Sequence, residues 1–360
     1  MPKVTVLMPV YNNELYVYEA VSSILNQTFG DFELLIVDDG STDASASVIE
    51  AFQDPRIRLV RSEMNEGLVA ALNKGLALAE GEYIARMDSD DIALPERLEK
   101  QVALLDQRAD IGLCGTQLKL MNADIWFSHP TEPEQIRCKL LFNCCINHPT
   151  VMFRRELMLA NGLWYDAFAK HAEDYELWTR MAQLMRLANL DEPLLLYRMH
   201  EEQVTSRYAA ENQETADRVL YRQMVAFGIE PTPEQFLVHL LLSRHRLAAS
   251  PELASSALSW LDLLQAHNRS CLYYEVLPFE EMLQPYREEA MQLCRINRAQ
   301  ALRLRRRARR TRTARSGKRR KDVKRRRTGK RSLSGTRNGR VGFGSAKRRR
   351  TIRAKGRLRE

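Results

Sequence analysis

Four short runs of Val, Ile and Leu recur through the first ninety residues, each separated from the next by a stretch whose apolar residues fall three and four apart. The runs are Val4 to Met8, Leu34 to Val37, Ile57 to Val60 and Tyr83 to Met87, and the stretches are Glu14 to Gln27, Ala44 to Phe52 and Leu68 to Ala79. Runs this short and uninterrupted suit strands buried on both faces, and the three-four spacing suits helices with one buried stripe. The alternation therefore predicts β-α-β-α-β-α-β. The fold class is α/β, with a Rossmann-like, mostly parallel sheet flanked by helices.

Two acidic clusters fall at the ends of these strands. Asp38-Asp39-Gly40-Ser41-Thr42-Asp43 reads as a strand end, a tight turn at Gly40, and a helix start capped by Ser41 or Thr42 with Asp43 in its first turn. Asp88-Ser89-Asp90-Asp91 leaves three carboxylates within four positions. They repel one another unless a divalent cation or a set of hydrogen-bond donors neutralises them, and oxygen-only ligands suit Mn2+ or Mg2+. Taken alone, the cluster reads equally as a solvated turn ahead of the helix that Pro95 opens. In open α/β sheets ligands bind outside the strand C-termini, so both clusters are expected to face one crevice.

Two nucleotide-binding classes are excluded by their missing glycines. Pro9-Val10-Tyr11-Asn12-Asn13 follows the first strand where a dinucleotide-binding GxGxxG would stand, and no GxxxxGK[ST] occurs. Any phosphates in this crevice must then be held by a cation.

Charge divides the chain. Residues 301 to 360 hold 28 Lys or Arg against Asp322 and Glu360, a net +26, whereas residues 1 to 300 carry -17. The basic segment has almost no large apolar side chains and is expected to be a disordered tail. Residues 201 to 230 read as a long amphipathic helix leaving the first domain, and Thr232-Pro233-Glu234 as a fresh helix start opening a helical appendage. The expected domains are 1–230, 231–300 and 301–360. Lys3 to Met8 reads directly as a strand and no apolar stretch approaches the ~18 to 20 residues of a membrane span, so a cytoplasmic chain with at most peripheral membrane contact is expected. The six cysteines show no CxxC pair and read as reduced thiols.

Taken in order, Val6-Leu7-Met8-Pro9-Val10-Tyr11-Asn12, Ile36-Val37-Asp38-Asp39-Gly40-Ser41-Thr42-Asp43, Asn65-Glu66-Gly67 with Asn73-Lys74-Gly75, and Asp88-Ser89-Asp90-Asp91 resemble the motifs of the family 2 glycosyltransferases. The resemblance continues through Asn147 to Phe153, Ala172 to Trp178 and Tyr197-Arg198-Met199-His200, covering roughly residues 3 to 205. It implies a GT-A fold, a nucleotide-sugar donor, a divalent metal and transfer that inverts the anomeric centre.

Residue roles follow from the same resemblance. Asp90 is the implied metal ligand, with His200 as a nitrogen donor to the metal or diphosphate. Asp88 faces the ribose or base, Asp39 accepts from the base, and Pro9, Val10 and Tyr11 pack against it. Asp38 is read as structural, and Arg86, from its place on the strand, as the partner of a carboxylate or of a phosphate. From the residues alone Glu173-Asp174 is an acidic pair at a helix start and His200 a surface histidine. The matching motif makes Asp174 the base that takes the acceptor hydroxyl proton, with Glu173 orienting it. His148 is read as fixing a loop, and Trp164 and Trp178 as core or pocket-wall aromatics. Many relatives carry Arg where this chain has Leu72, so a phosphate or base contact is either missing or supplied by Lys74; this departure weakens the case for a uridine donor, which stays the best single reading.

The expected activity is transfer of a sugar from a nucleotide-sugar to a saccharide or lipid-linked acceptor in cell-surface polysaccharide synthesis. Two rival classes are a nucleic-acid-binding protein acting through the basic tail and a catalytically silent nucleotide-sugar binding module. The tail has one aromatic, Phe343, and no zinc spacing, which disfavours specific nucleic-acid reading; attraction to anionic lipid is the other use of its charge.

Overall fold

The computed structural model describes residues 1–200 and 208–328. The four expected strands are β1 (Val4–Val10), β2 (Phe32–Asp38), β3 (Ile57–Arg61) and β4 (Tyr83–Arg86), and the helices between them are α1 (Val17–Leu25), α2 (Ser45–Glu50) and α3 (Leu68–Leu78). β1 pairs in parallel with both β2 and β4, and β2 in parallel with β3. Successive residues of β1 alternate between two cores. Val4, Val6, Met8 and Val10 pack with α1, whereas Leu7 packs with α3 on the other face. Both faces are covered, which is why the strands carry apolar runs rather than polar alternation.

Beyond β4 come β5 (Ile92–Ala93), α4 (Arg97–Gln107), β6 (Ile111–Leu120), β7 (Trp126–Phe127), α5 (Pro133–Lys139), β8 (Met152–Arg154), α6 (Arg155–Ala160), α7 (Glu173–Leu184) and β9 (Arg186–Tyr197). The described residues form a nine-stranded sheet in the order β3-β2-β1-β4-β8-β6-β9-β5, with β7 paired to β6. β8 runs antiparallel to β4 and β6, while β9 is parallel to β6. The longer strands therefore share one direction, and the short β5, β7 and β8 run against it. The sheet is mixed, with the expected parallel part at β3-β2-β1-β4 and a further parallel pair at β6-β9.

Helices α8 (Ala209–Ala226), α9 (Pro233–Ser243), α10 (Ala254–Cys271) and α11 (Val276–Thr328) follow. α9 opens with a capping box in which the Thr232 side chain accepts from the Gln235 amide and the Gln235 side chain accepts from the Thr232 amide, as the Thr-Pro-Glu start suggested. These helices share a core built on Phe227, Trp260, Phe279 and Tyr286, which also takes in Leu141 and Phe142 just after α5. One compact unit covers Met1–Arg298 and a second begins at Ala299. One expectation needs correction. Of the helix expected over 201–230, α8 begins only at Ala209, and residues 201–207 lie outside those described. α11 is continuous to Thr328, and most of the remaining basic segment expected to be a disordered tail falls outside the residues described. Residues 329–360 lie outside those described.

Candidate active site

β1, β2, β4 and β9 all end at one edge of the sheet, with Val10, Asp38, Arg86 and Tyr197 as their last residues. That edge gathers the acidic turn after β4 and the Arg198 to His200 segment after β9. One oxygen from each of Asp88, Asp90 and Asp91 lies within 4.8 Å of the others. Asp88 Oδ2 accepts from Arg86 Nη1 at 2.5 Å, and Asp90 Oδ2 lies 2.9 Å from His200 Nε2. Asp91 Oδ1 accepts from the Arg198 amide at 2.9 Å, as befits the residue that holds the turn. Its Oδ2 is buried without a hydrogen-bond partner, and burial, reinforced by Asp88 and Asp90, pushes its carboxyl up to about 9. Three convergent carboxylates, an imidazole in contact with one of them and an unsatisfied buried oxygen fit a divalent cation with oxygen and nitrogen ligands.

Two arginines support this turn from within. Arg86 is 3% exposed. Its carbonyl accepts from Arg97 Nη2 at 2.6 Å, and the fully buried Arg97 also donates from Nε to Gln101 Oε1 at 3.1 Å. Burial, with help from Arg86, lowers Arg97 to about 9, while Asp91 opposes the shift. Asn13 ties the end of β1 to the same turn, donating from Nδ2 to Ser89 Oγ at 2.7 Å.

The expected nucleotide side is only partly accessible. Pro9 and Val10 are buried because they continue β1 into the sheet, so Tyr11, 48% exposed, is the residue of that trio that can meet a base. Asp39 is 3% exposed and accepts from the Glu66 and Gly67 amides at 3.0 and 2.7 Å, organising the entry to α3. Lys74 Nζ donates to Ser62 Oγ at 2.8 Å in the same loop. Leu72 is fully buried, so position 72 faces the core and not the crevice. Asp38 is structural as expected, accepting from the Ser41 amide at 3.0 Å and from Arg61 Nε at 3.2 Å. The expected cap at Ser41 or Thr42 is not formed: α2 starts at Ser45, and Ser41 and Thr42 instead bind Asn12, whose φ of 48° bends the chain toward them.

Glu173 and Asp174 open α7 beside the acidic turn. Asp174 Oδ1 accepts from the Tyr175 amide at 2.7 Å. Burial raises the Asp174 carboxyl above its ordinary range, opposed by the Tyr175 amide and by Arg86. Glu173 is 6% exposed, and burial followed by the neighbouring Asp174 charge pushes it up to about 7. The Arg86 charge acts on Asp88, Glu173 and Asp174 alike, so the turn and the acidic pair share one electrostatic neighbourhood. The Asn73 side chain clamps Tyr165 with bonds of 2.9 and 3.0 Å, and the Tyr165 hydroxyl meets His148 Nε2 at 2.9 Å. His148 therefore fixes a loop, as expected, and burial holds it well below its usual pKa and neutral. Trp178 is core; Trp164 is 37% exposed.

Residues 5–159 match the model of the family described as glycosyl transferase family 2. The O-antigen biosynthesis glycosyltransferase WbnJ of Escherichia coli is 36% identical over 207 residues, spanning 55% of this chain and 80% of that protein. The chain is a family 2 glycosyltransferase. In fold, this glycosyltransferase is similar to residues 1–349 of TarS from S. aureus, solved with UDP-GlcNAc (TM-score 0.55, 21% identity, 81% of this chain and 92% of that one). It is also similar to the mannosyltransferase PcManGT of Pyrobaculum calidifontis, solved with GDP-Man and Mn2+ (TM-score 0.51, 20% identity, 81% and 86%). The GT-A expectation holds.

Several residues of the glycosyltransferase site escaped sequence reading. Arg198, Tyr16, Asn13 and Arg97 carry no chemical signature of their own, and their partners are brought together only by the fold. Arg198 follows β9 immediately inside the Tyr-Arg-Met-His run, which was the one available signal.

Proposed function

We propose that this glycosyltransferase is a cation-dependent inverting enzyme. It moves a sugar from a nucleotide-sugar, read as UDP-linked, to a hydroxyl of a saccharide or lipid-linked acceptor in cell-surface polysaccharide synthesis. The observation that carries the reading is the convergence of the Asp88–Asp91 turn, His200 and the Glu173–Asp174 pair at one sheet edge, within reach of Arg86. Asp90 and His200 would hold Mn2+ or Mg2+, which when bound neutralises charge building on the departing diphosphate. Asp88 faces the nucleotide, and Tyr11 offers its exposed ring to the base. Asp174 takes the proton of the acceptor hydroxyl as that oxygen bonds to the anomeric carbon and the diphosphate leaves. A single displacement inverts the centre. Burial pushes the Glu173 carboxyl up to about 7, which favours its neutral form and limits the negative charge crowding Asp174.

The WbnJ name supports a polysaccharide role. TarS was solved with a uridine nucleotide and PcManGT with a guanosine one, so the uridine reading rests on the first of these and on the motifs. Among the described residues no helix is long and apolar enough to cross a membrane. The +26 charge of residues 301–360 supports peripheral contact with an anionic membrane from the cytoplasmic side. Nucleotide release from a panel of nucleotide-sugars, with Mn2+ or EDTA, tests the reading. Asp90→Ala should lose cation-dependent donor binding, and Asp174→Asn should bind donor but not transfer. Full transfer by Asp174→Asn would remove Asp174 from the mechanism.

A further inference from the structure

His200 has no reason of its own to meet Asp90. It lies three residues past the end of β9, and what aims it is the segment between. Arg198 fastens that segment to the acidic turn at two points: its backbone amide donates to Asp91 Oδ1 at 2.9 Å and its Nε donates to the Asp90 carbonyl at 2.8 Å. The far end of the guanidinium donates to Glu19 on α1. Its Cζ lies over the ring of Tyr16, the residue that precedes α1, 4.6 Å from the ring centroid. The same Tyr16 ring packs 5.0 Å from the His200 imidazole. One aromatic ring thus braces both the arginine that grips the turn and the histidine delivered to it.

We propose that Arg198, braced on Tyr16, is the positioning residue that presents His200 to the acidic turn and so sets the affinity of the cation site. The inference rests on the reading of Asp90 and His200 as cation ligands. Lysine would keep the charge but not this arrangement, because a point ammonium cannot donate to the Asp90 carbonyl and Glu19 from a flat fork while lying on an aromatic face. Outer residues that orient a metal ligand typically change affinity by about 10- to 100-fold when altered. Tyr16 contributes through its ring, so a phenylalanine there preserves the brace and a leucine removes it.

The test is Mn2+ titration of the full chain, followed by electron paramagnetic resonance, with the nitrogen coupling of bound Mn2+ read by electron spin echo. Wild type should bind Mn2+ with a nitrogen coupling that His200→Ala abolishes. Arg198→Lys and Tyr16→Leu should each bind about tenfold more weakly and show a diminished nitrogen signal, with Tyr16→Phe like wild type. Melting curves confirm that each variant is folded. Wild-type affinity and an intact nitrogen signal in both Arg198→Lys and Tyr16→Leu would overturn the proposal while leaving the cation site in place. Absence of nitrogen coupling in wild type would also overturn it. Wild-type Mn2+ binding no tighter than that of Asp90→Ala would overturn the cation reading itself, and this proposal with it.

Discussion

Arg86 Nη1 donates to Asp88 Oδ2 at 2.5 Å from a guanidinium that is almost wholly buried at the end of β4. Burial alone would push the Asp88 carboxyl up, and the Arg86 charge is the largest influence opposing it. Removing one partner of a buried pair leaves the other uncompensated, typically at a cost of about 3 to 5 kcal/mol. Asp88 keeps 28% of its side chain exposed, which places the expected cost at the low end, ~3 kcal/mol. Arg86→Met should show that loss in denaturant unfolding, together with at least tenfold weaker nucleotide binding by calorimetry.

Glu173 gives the acidic pair a pH signature. Its carboxyl rises from an ordinary 4.5 to about 7 in the folded chain, chiefly through burial. A raised carboxyl favours the folded state fully below pH 4.5, and that contribution is lost as pH climbs through 7. The difference amounts to about 3 kcal/mol. Glu173→Gln cannot ionise, so its stability should fall by about 3 kcal/mol less than that of wild type between pH 4.5 and pH 8. Unfolding midpoints at the two pH values check this; parallel pH profiles would contradict it.

The alternation of apolar runs specified β1 to β4 and α1 to α3 because these strands contribute to two buried layers, a demand met mainly by apolar side chains. The acidic turn was legible for a related reason, since three adjacent carboxylates require an explanation wherever they occur. The supports of the site were not. Arg198 reaches Glu19 from 179 positions away, and Asn73 clamps Tyr165 across 92. No local pattern encodes such pairs.

Gly40 makes the turn between Asp39 and Ser41 with φ at 73°. A Cβ there would lie 2.6 Å from the Met64 carbonyl carbon and 2.8 Å from the Asn65 amide nitrogen, and both are backbone atoms that cannot rotate aside. Gly40→Ala should therefore cost about 2 to 4 kcal/mol, adding left-handed strain to a displaced 64–67 loop. The same displacement should pull the Glu66 and Gly67 amides from Asp39 and weaken nucleotide binding. Calorimetry on the folded variant measures that second effect separately.

Truncation after Gln300 should leave the catalytic core and transfer intact. The last described anchor of the first unit is Asn297, whose Nδ2 donates to the Pro251 carbonyl at 2.6 Å, and the apolar contacts of α11 with the helical core end at Leu293. Wild-type kcat with a soluble acceptor analogue is expected, while affinity for anionic vesicles should fall sharply and become insensitive to salt. A folded truncated chain without transfer activity would show that the basic segment belongs to the catalytic apparatus.

His239 on α9 is fully buried, and both ring nitrogens are engaged. Nδ1 accepts from Trp260 Nε1 at 3.2 Å, which leaves Nε2 to donate to the Leu141 carbonyl at 2.9 Å. A proton on Nδ1 would break the Trp260 bond and put a charge among apolar rings, so burial lowers the pKa from 6.5 to about 3. The neutral ring contributes stability above pH 6.5, and this is lost as pH falls toward 3, because only the unfolded chain takes up the proton readily. At pH 5 the loss is about 2 kcal/mol relative to pH 7.5. His239→Gln should be less stable than wild type at pH 7.5, since glutamine does not restore both bonds, but its stability should fall by about 2 kcal/mol less between pH 7.5 and pH 5. Denaturant midpoints followed by Trp fluorescence measure both, and an unchanged acid slope in the variant would remove His239 as the source.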